Sequence, residues 1–252
     1  MSREARLKAV RKKIAAIETG SRRASAVAPF GDGRIDRLLP GGGLALGHWH
    51  EVAGEGLEVE LAAAPGAFVA ALAAPLATQG AMVWVMRKGD LYAPGLAGLG
   101  LAAERLIQVE ARDEVQALGA LEDALGSNGV AVAVGEIGAV DLTAGRRLQL
   151  ACERGGATGF VIVRRPFGGR RSVERTGMGA ASRWRISPAP SQPAIGEIGL
   201  GPPRWQVTLA RCRGGSGGAW TMEKSDGAYP LRVVAELGDR QLETPQPLRL
   251  AG

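Results

Sequence analysis

Apolar residues fall in two rhythms along the 252-residue chain, and the rhythms alternate. Leu7, Val10, Ile14 and Ile17 are spaced three, four and three apart, which puts them on one face of a helix over Arg3–Glu18. Ser2 can cap that helix and Gly20 stops it. After a glycine-rich corner, His48–Val52 leans toward β structure. Phe68–Gln79 reads as a helix, Ala81–Met86 as a buried strand, and Leu91–Glu104 as a glycine-rich stretch with a short helix. Arg105–Glu110 is another strand. Asp113–Leu125 is a helix with Val115, Leu118, Leu121 and Leu125 on its apolar face. Val130–Val134 is a strand buried on both sides, Leu142–Arg154 a helix with Leu148, Leu150 and Cys152 apolar, and Phe160–Val163 a strand. Alternating strands and helices of this length predict an α/β fold, a mostly parallel sheet flanked by helices.

Beyond Val163 the pattern changes. Pro166–Ala181 is a Gly/Arg-rich loop, and Ser182–Ser187 alternates as an exposed or edge strand would. A Pro/Gly-rich connector leads to strands at Trp205–Cys212 and Ala219–Glu223, which predicts an antiparallel C-terminal strand extension. From Lys224 the signals weaken to a short apolar run at Leu231–Glu236 and an extended end. The chain therefore divides into a separate N-terminal basic helix (1–19), a linker (20–28), a core (29–223) and a C-terminal tail (224–252).

Composition sharpens this outline. Only 4% of residues are aromatic and 38 are glycine, so the core must rest mainly on Ala, Val, Leu and Ile. Two cysteines are too few for a disulfide framework and suit reduced thiols in a cytoplasmic protein. The N-terminus lacks the apolar segment of a signal peptide, and the uncharged run Leu61–Met86 is broken by Pro65, Gly66, Pro75 and Gly80, unlike a membrane span. The net charge of +6 is uneven. Residues 1–23 carry eight Lys/Arg against two Glu, and residues 164–185 carry seven Arg against one Glu, so each segment stands at +6 and the remainder must stand at −6. Two basic patches on an acidic body favour contacts with polyanions or acidic partners.

The stretch Gly33–Val52, GRIDRLLPGGGLALGHWHEV, resembles the lead-in to a RecA-like core: Ile-Asp-x-Leu-Leu, Gly-Gly-Gly-Leu, then Glu-Val before the first buried strand. The order of elements and the terminal Arg-x-Arg-Gly extend the resemblance over roughly Pro29–Glu223. A phosphate-binding loop should follow, with Gly-x-x-x-x-Gly-Lys-Ser/Thr cradling phosphates and magnesium. Instead the chain reads AGEGLEVELAAAPGAF, with no lysine between Lys13 and Lys88. Pro65 falls where the lysine belongs and Gly66 where the hydroxyl belongs. Glu55, Glu58 and Glu60 would repel a triphosphate. The strand VAVAV ends in Gly135 with Glu136 one step beyond, where the superfamily carries a metal-ordering Asp. Arg87-Lys88-Gly89 replaces the glutamate expected after AMVWVM. These losses argue against ATP turnover and against a bound cofactor.

Within that superfamily the length, the basic first helix and the missing loop resemble the ImuA-type proteins, to which SulA-like division inhibitors are related. The resemblance implies a non-enzymatic adapter of SOS-induced, mutagenic translesion DNA synthesis in the bacterial cytoplasm. Its implied partners are RecA or a Y-family-like polymerase homologue, or both, with an error-prone replicative-type polymerase, and single-stranded DNA as a further candidate. The alternative it leaves is a SulA-like cell division inhibitor binding the tubulin-like ring protein.

The Leu7/Val10/Ile14/Ile17 stripe either packs on its own domain or docks on another chain. In RecA-like recombinases a loop after the strand matching Phe160–Val163 faces single-stranded DNA. By that resemblance Arg164, Arg165, Arg170, Arg171 and Arg175 would contact phosphates and Phe167 would stack on a base. A solvated loop, or one docking an acidic partner, is the other reading. Arg211 and Arg213 sit where ring-forming relatives reach a neighbour's nucleotide; here they read as an interface element. His48 and His50 share a strand face but lack a third ligand nearby, which suits a structural role. With two histidines in all, no Ser/His/Asp or Cys/His set can be assembled.

Overall fold

A computed structural model of the chain describes residues 26–55, 63–164, 179–193, 196 and 198–236. The stripe Leu7, Val10, Ile14 and Ile17, the loop residues Arg165, Phe167, Arg170, Arg171 and Arg175, and the tail from 237 onward lie outside the described residues. In chain order the strands are β1 (Val27–Ala28), β2 (Leu44–Ala45), β3 (Trp49–Gly54), β4 (Ala81–Met86), β5 (Leu106–Glu110), β6 (Val130–Ile137), β7 (Thr158–Val163), β8 (Ser182–Ala189), β9 (Arg204–Cys212), β10 (Gly218–Lys224) and β11 (Leu231–Glu236). The α-helices are α1 (Gly33–Asp36), α2 (Ala63–Ala73), α3 (Ala93–Ala97), α4 (Glu114–Leu125) and α5 (Leu142–Gly155).

Nine strands form one sheet in the order β11-β10-β9-β8-β3-β7-β6-β4-β5. The six from β8 to β5 run parallel, and β9, β10 and β11 continue it antiparallel. The fold is therefore α/β, with a large, mixed, mostly parallel sheet. Strand alternation splits the core in two. Met82, Trp84 and Met86 point toward α2 and α3, where Phe68, Val69, Leu72 and Leu96 meet Trp184, Trp205 and Trp220. Val83 and Val85 point the other way, toward α4 and α5, where Leu121, Leu125, Leu148 and Cys152 meet Trp49 and Val161.

Helix ends follow from local chemistry. Asp113 and Asp141 cap α4 and α5, accepting from the backbone N–H of Gln116 and Ala144. Gly156 closes α5 at φ 77°, a left-handed position that suits glycine, and returns its N–H to Cys152.

Several sequence expectations are corrected. The apolar face of α4 is Ala117, Leu121, Ala124 and Leu125, and Val115 is 82% exposed. Small residues win because α4 approaches β6 closely: a Cβ on Gly135 would lie 2.6 Å from Leu121. On α5, Leu150 is exposed while Leu148, Ala151 and Cys152 are buried. The second helix starts at Ala63 rather than Phe68, with Pro65 in its first turn, where the missing N–H costs nothing. Strand β6 runs through Glu136 to Ile137, past the predicted end at Val134. Strand β8 is no edge strand: it lies between β3 and β9, and its alternation reflects one packed and one polar face. Finally, β11 pairs with β10, so the sheet continues past position 223. Among the described residues, no helix is long and apolar enough to cross a membrane.

Candidate functional site

In parallel sheets of this kind, ligands sit beyond the carboxyl ends of the strands. Here that edge gathers the ends of β3, β4, β6 and β7 and the start of α2. The chain leaves β4 as Arg87-Lys88-Gly89-Asp90, leaves β7 at Arg164, and carries Glu136 one residue before the end of β6. These residues lock together. The Arg164 guanidinium donates to both Asp90 oxygens, at 2.9 and 2.6 Å, and to Glu136 Oε2 at 2.5 Å. Glu136 Oε1 accepts from the Trp84 indole at 3.0 Å. Lys88 lies 3.5 Å from Asp90. Arg87 pairs with Glu114 at 2.9 Å, and the other Glu114 oxygen accepts from the Gly138 and Ala139 amides.

The electrostatics follow the packing. Burial pushes the Glu136 carboxyl above its ordinary range, against the pull of Arg164 and the Trp84 hydrogen bond. Hydrogen bonding to Arg164 holds Asp90 below its ordinary range despite some burial. Hydrogen bonding to Asp90 in turn raises Arg164, so the guanidinium stays charged. The Glu136 side chain is 6% exposed and that of Arg164 12%. A phosphate or metal arriving here would have to displace an arginine already satisfied by two carboxylates.

The start of α2 offers little more. Its first turn is Ala63-Ala64-Pro65-Gly66, with no side-chain donor, and a Cβ at Gly66 would lie 3.7 Å from the Trp84 ring. The indole thus fills the space between the helix start and Glu136.

The resemblance puts Arg164 among DNA contacts; in the structure its guanidinium is held by Asp90 and Glu136 of its own chain. Arg211 is exposed on β9. Arg213 is tied down, its Nη2 donating to the Gly179 carbonyl at 2.8 Å and its amide to that of Ala181. His48 Nδ1 lies 2.9 Å from the Leu46 carbonyl. His50 Nε2 donates to the Ala45 carbonyl at 2.9 Å, which leaves Nδ1 to accept from the Ser182 hydroxyl at 2.6 Å. Burial pushes His50 down to about 4. Among the described residues, no three His, Cys, Asp or Glu side chains gather as metal ligands.

Sequence reasoning missed Asp90, Trp84 and Glu114 as parts of this cluster. The signal for each was weak: an acid just past a glycine, a tryptophan inside an apolar strand, and an acid following a helix cap.

No protein-family profile matches the chain. Two curated relatives, each called Protein ImuA and from two strains of Caulobacter vibrioides, are 52% identical over 244 residues, covering 94% of this chain and 100% of the relative. The chain belongs to the ImuA family. Among solved structures, the crystal structure of SulA from Pseudomonas aeruginosa matches 45% of this chain and 95% of its own at 20% identity, with a TM-score of 0.39. As an ImuA family member, the chain places an ion-paired arginine, rather than an open carboxylate, at the sheet edge.

Proposed function

We propose that this ImuA family protein is a non-catalytic, RecA-like adapter in SOS-induced mutagenic translesion DNA synthesis. It acts by contacts with RecA, with a Y-family-like polymerase homologue, or with both, and serves an error-prone replicative-type polymerase in the bacterial cytoplasm. The observation that best supports the non-catalytic reading is the Arg164 clamp. Glu136, one step beyond the place where the resemblance puts a metal-ordering acid, is held by Arg164 and Trp84. The alanine, proline and glycine that open α2 add no lysine or hydroxyl for phosphate and magnesium. The strand order, with β7 between β3 and β6, agrees with a RecA-like ancestry. The basic segments 1–23 and 164–185 agree with polyanion contact, and Arg165, Phe167, Arg170, Arg171 and Arg175 remain the DNA-contact set of this reading. The Leu7/Val10/Ile14/Ile17 stripe, Arg211 and Arg213 are its protein-contact set.

Two measurements test it. A titration of the purified protein with ATP and magnesium should give no saturable binding and no hydrolysis, with or without single-stranded DNA. Tight uptake or turnover would overturn the non-catalytic reading. Pull-down should retain RecA or the polymerase homologue; retention of the tubulin-like ring protein alone would instead make the chain a division inhibitor.

A further inference from the structure

The two faces of the antiparallel wing differ. One carries Trp184, Ile186, Trp205, Val207, Trp220 and Met222 into the core. The register sets the other in rows across the strands. Glu51, Arg183 and Arg211 form one row, Ala53, Arg185, Thr208 and Ala219 the next, and Ser187, Gln206 and Thr221 the third. Helices α4 and α5 lie over the parallel half of the sheet, and these rows stay half-exposed or exposed apart from Glu51.

Arg183 and Arg211 stand directly opposite each other on adjacent strands, an arrangement that costs stability by itself. Glu51 answers Arg183, with Nε 2.9 Å from Oε1. Arg185 and Arg211 have no ion pair among the described residues. Of the three arginines on these rows, Arg183 and Arg185 both act on the single carboxylate of Glu51, so the face carries an excess of positive charge.

We propose that this face binds the sugar–phosphate backbone of single-stranded DNA, with Arg185 on one phosphate, Arg211 on another in place of the protein contact given to it above, and Thr208, Ser187, Gln206 and Thr221 as neutral donors. The choice of DNA over RNA rests on the adapter reading above. Three features favour a nucleic-acid backbone over an acidic protein. Phosphate contacts are made by arginine with serine, threonine and glutamine, the residue set present here. Protein interfaces need a buried aromatic or aliphatic anchor, and the exposed rows carry only Ala53 and Ala219. Positions two apart along a strand repeat at about 6.6 Å, close to the step between phosphates in an extended strand. With no aromatic side chain on these rows, the contact is blind to base sequence.

The test uses the full chain with Arg185→Gln and Arg211→Gln together, and Arg211→Gln alone as the variant least able to disturb folding. Binding of a fluorescent oligodeoxythymidylate is followed over a salt series. The double variant should bind several-fold more weakly, with a salt slope shallower by about 1.4, the value for two phosphate contacts on a single strand. Arg105→Gln with Arg112→Gln, equal in charge and exposed near the opposite edge, should leave both quantities near those of the parent. Unchanged binding by the double variant, or an equal loss in the control pair, overturns the proposal. So does retained DNA binding together with a lost protein pull-down, which would make the face a protein interface. The pull-down on the parent chain tests the adapter reading separately, so the two can fail independently.

Discussion

The His50 ring is enclosed on both nitrogens: Nε2 donates to Ala45, Nδ1 accepts from Ser182, and the Ser182 oxygen accepts from the Trp184 indole at 2.7 Å. A proton on Nδ1 would displace the hydroxyl hydrogen and place a charge against Phe160 in a dry core. Burial thus lowers its pKa from 6.5 to about 4. The unfolded chain takes up this proton near 6.5 and the folded one near 4. The contribution to stability is complete above 6.5 and is lost as pH falls between the two, by roughly 3 kcal/mol in all. We expect the His50 ring to titrate near 4 by NMR, and His50→Gln to remove that part of the acid sensitivity. A midpoint near 6.5 would show the cage to be open. Arg164 poses the converse case, a charge the fold requires. Arg164→Met strands Glu136 in a buried site and should cost about 3 kcal/mol in urea unfolding. Adding Glu136→Gln should recover much of that loss, because a neutral amide can sit beside Trp84 without a cation. A loss below about 0.5 kcal/mol for Arg164→Met would mean the pair is solvated.

The α4–β6 contact shows what separates a correct helix from a correct helix face. Gly135 faces Leu121 at a distance no Cβ tolerates, while a methyl added to Gly119, on the same helix as Leu121, would meet nothing within 4 Å. Gly135→Ala should therefore destabilise by about 1–3 kcal/mol through overpacking. Gly119→Ala should stabilise by about 0.5–1 kcal/mol through helix propensity, and thermal melts of the two should move in opposite directions. Movement in the same direction would contradict the packing. The sequence made the helix itself plain, since Asp113 caps it and Gly126 ends it. It misplaced Val115 because period alone ranks a valine above an alanine. Which face turns inward was decided by the close approach at Gly135, information held in another element. The clamp was harder still to read: Arg164 finds its partners 74 and 28 positions away, at Asp90 and Glu136. What sequence could supply was the negative half of that site, the lysine and hydroxyl missing before α2.

The nine-stranded sheet joins a parallel half, enclosed by helices on both sides, to an antiparallel wing with one face on the core. The junction is β8, parallel to β3 and antiparallel to β9, with Trp184 and Ile186 buried under α2. Its placement could not be read locally, because interior strands with one polar face alternate just as edge strands do. The far end of the wing was hidden for a related reason: β11 is short, and its alternation of Leu231 and Val233 with Arg232 and Val234 is brief. Yet those two buried residues complete the cluster around Trp220 and Met222, and Arg232 joins Arg204 on the buried Glu223. Although burial alone would raise it, hydrogen bonds from Arg232 and Arg204 hold the Glu223 carboxyl below its ordinary range. Arg34 on α1 also donates to the Val233 carbonyl at 3.1 Å, tying the glycine-rich lead-in to this last strand. A chain ending at Glu223 should thus expose Trp220, lose the second partner of its terminal carboxylate and free α1. We expect it to unfold at lower urea than a chain ending at Glu236, and to bind a hydrophobic dye. If both truncations melt alike, the sheet does not depend on β11, and the core ends where the sequence pattern weakens, at position 223.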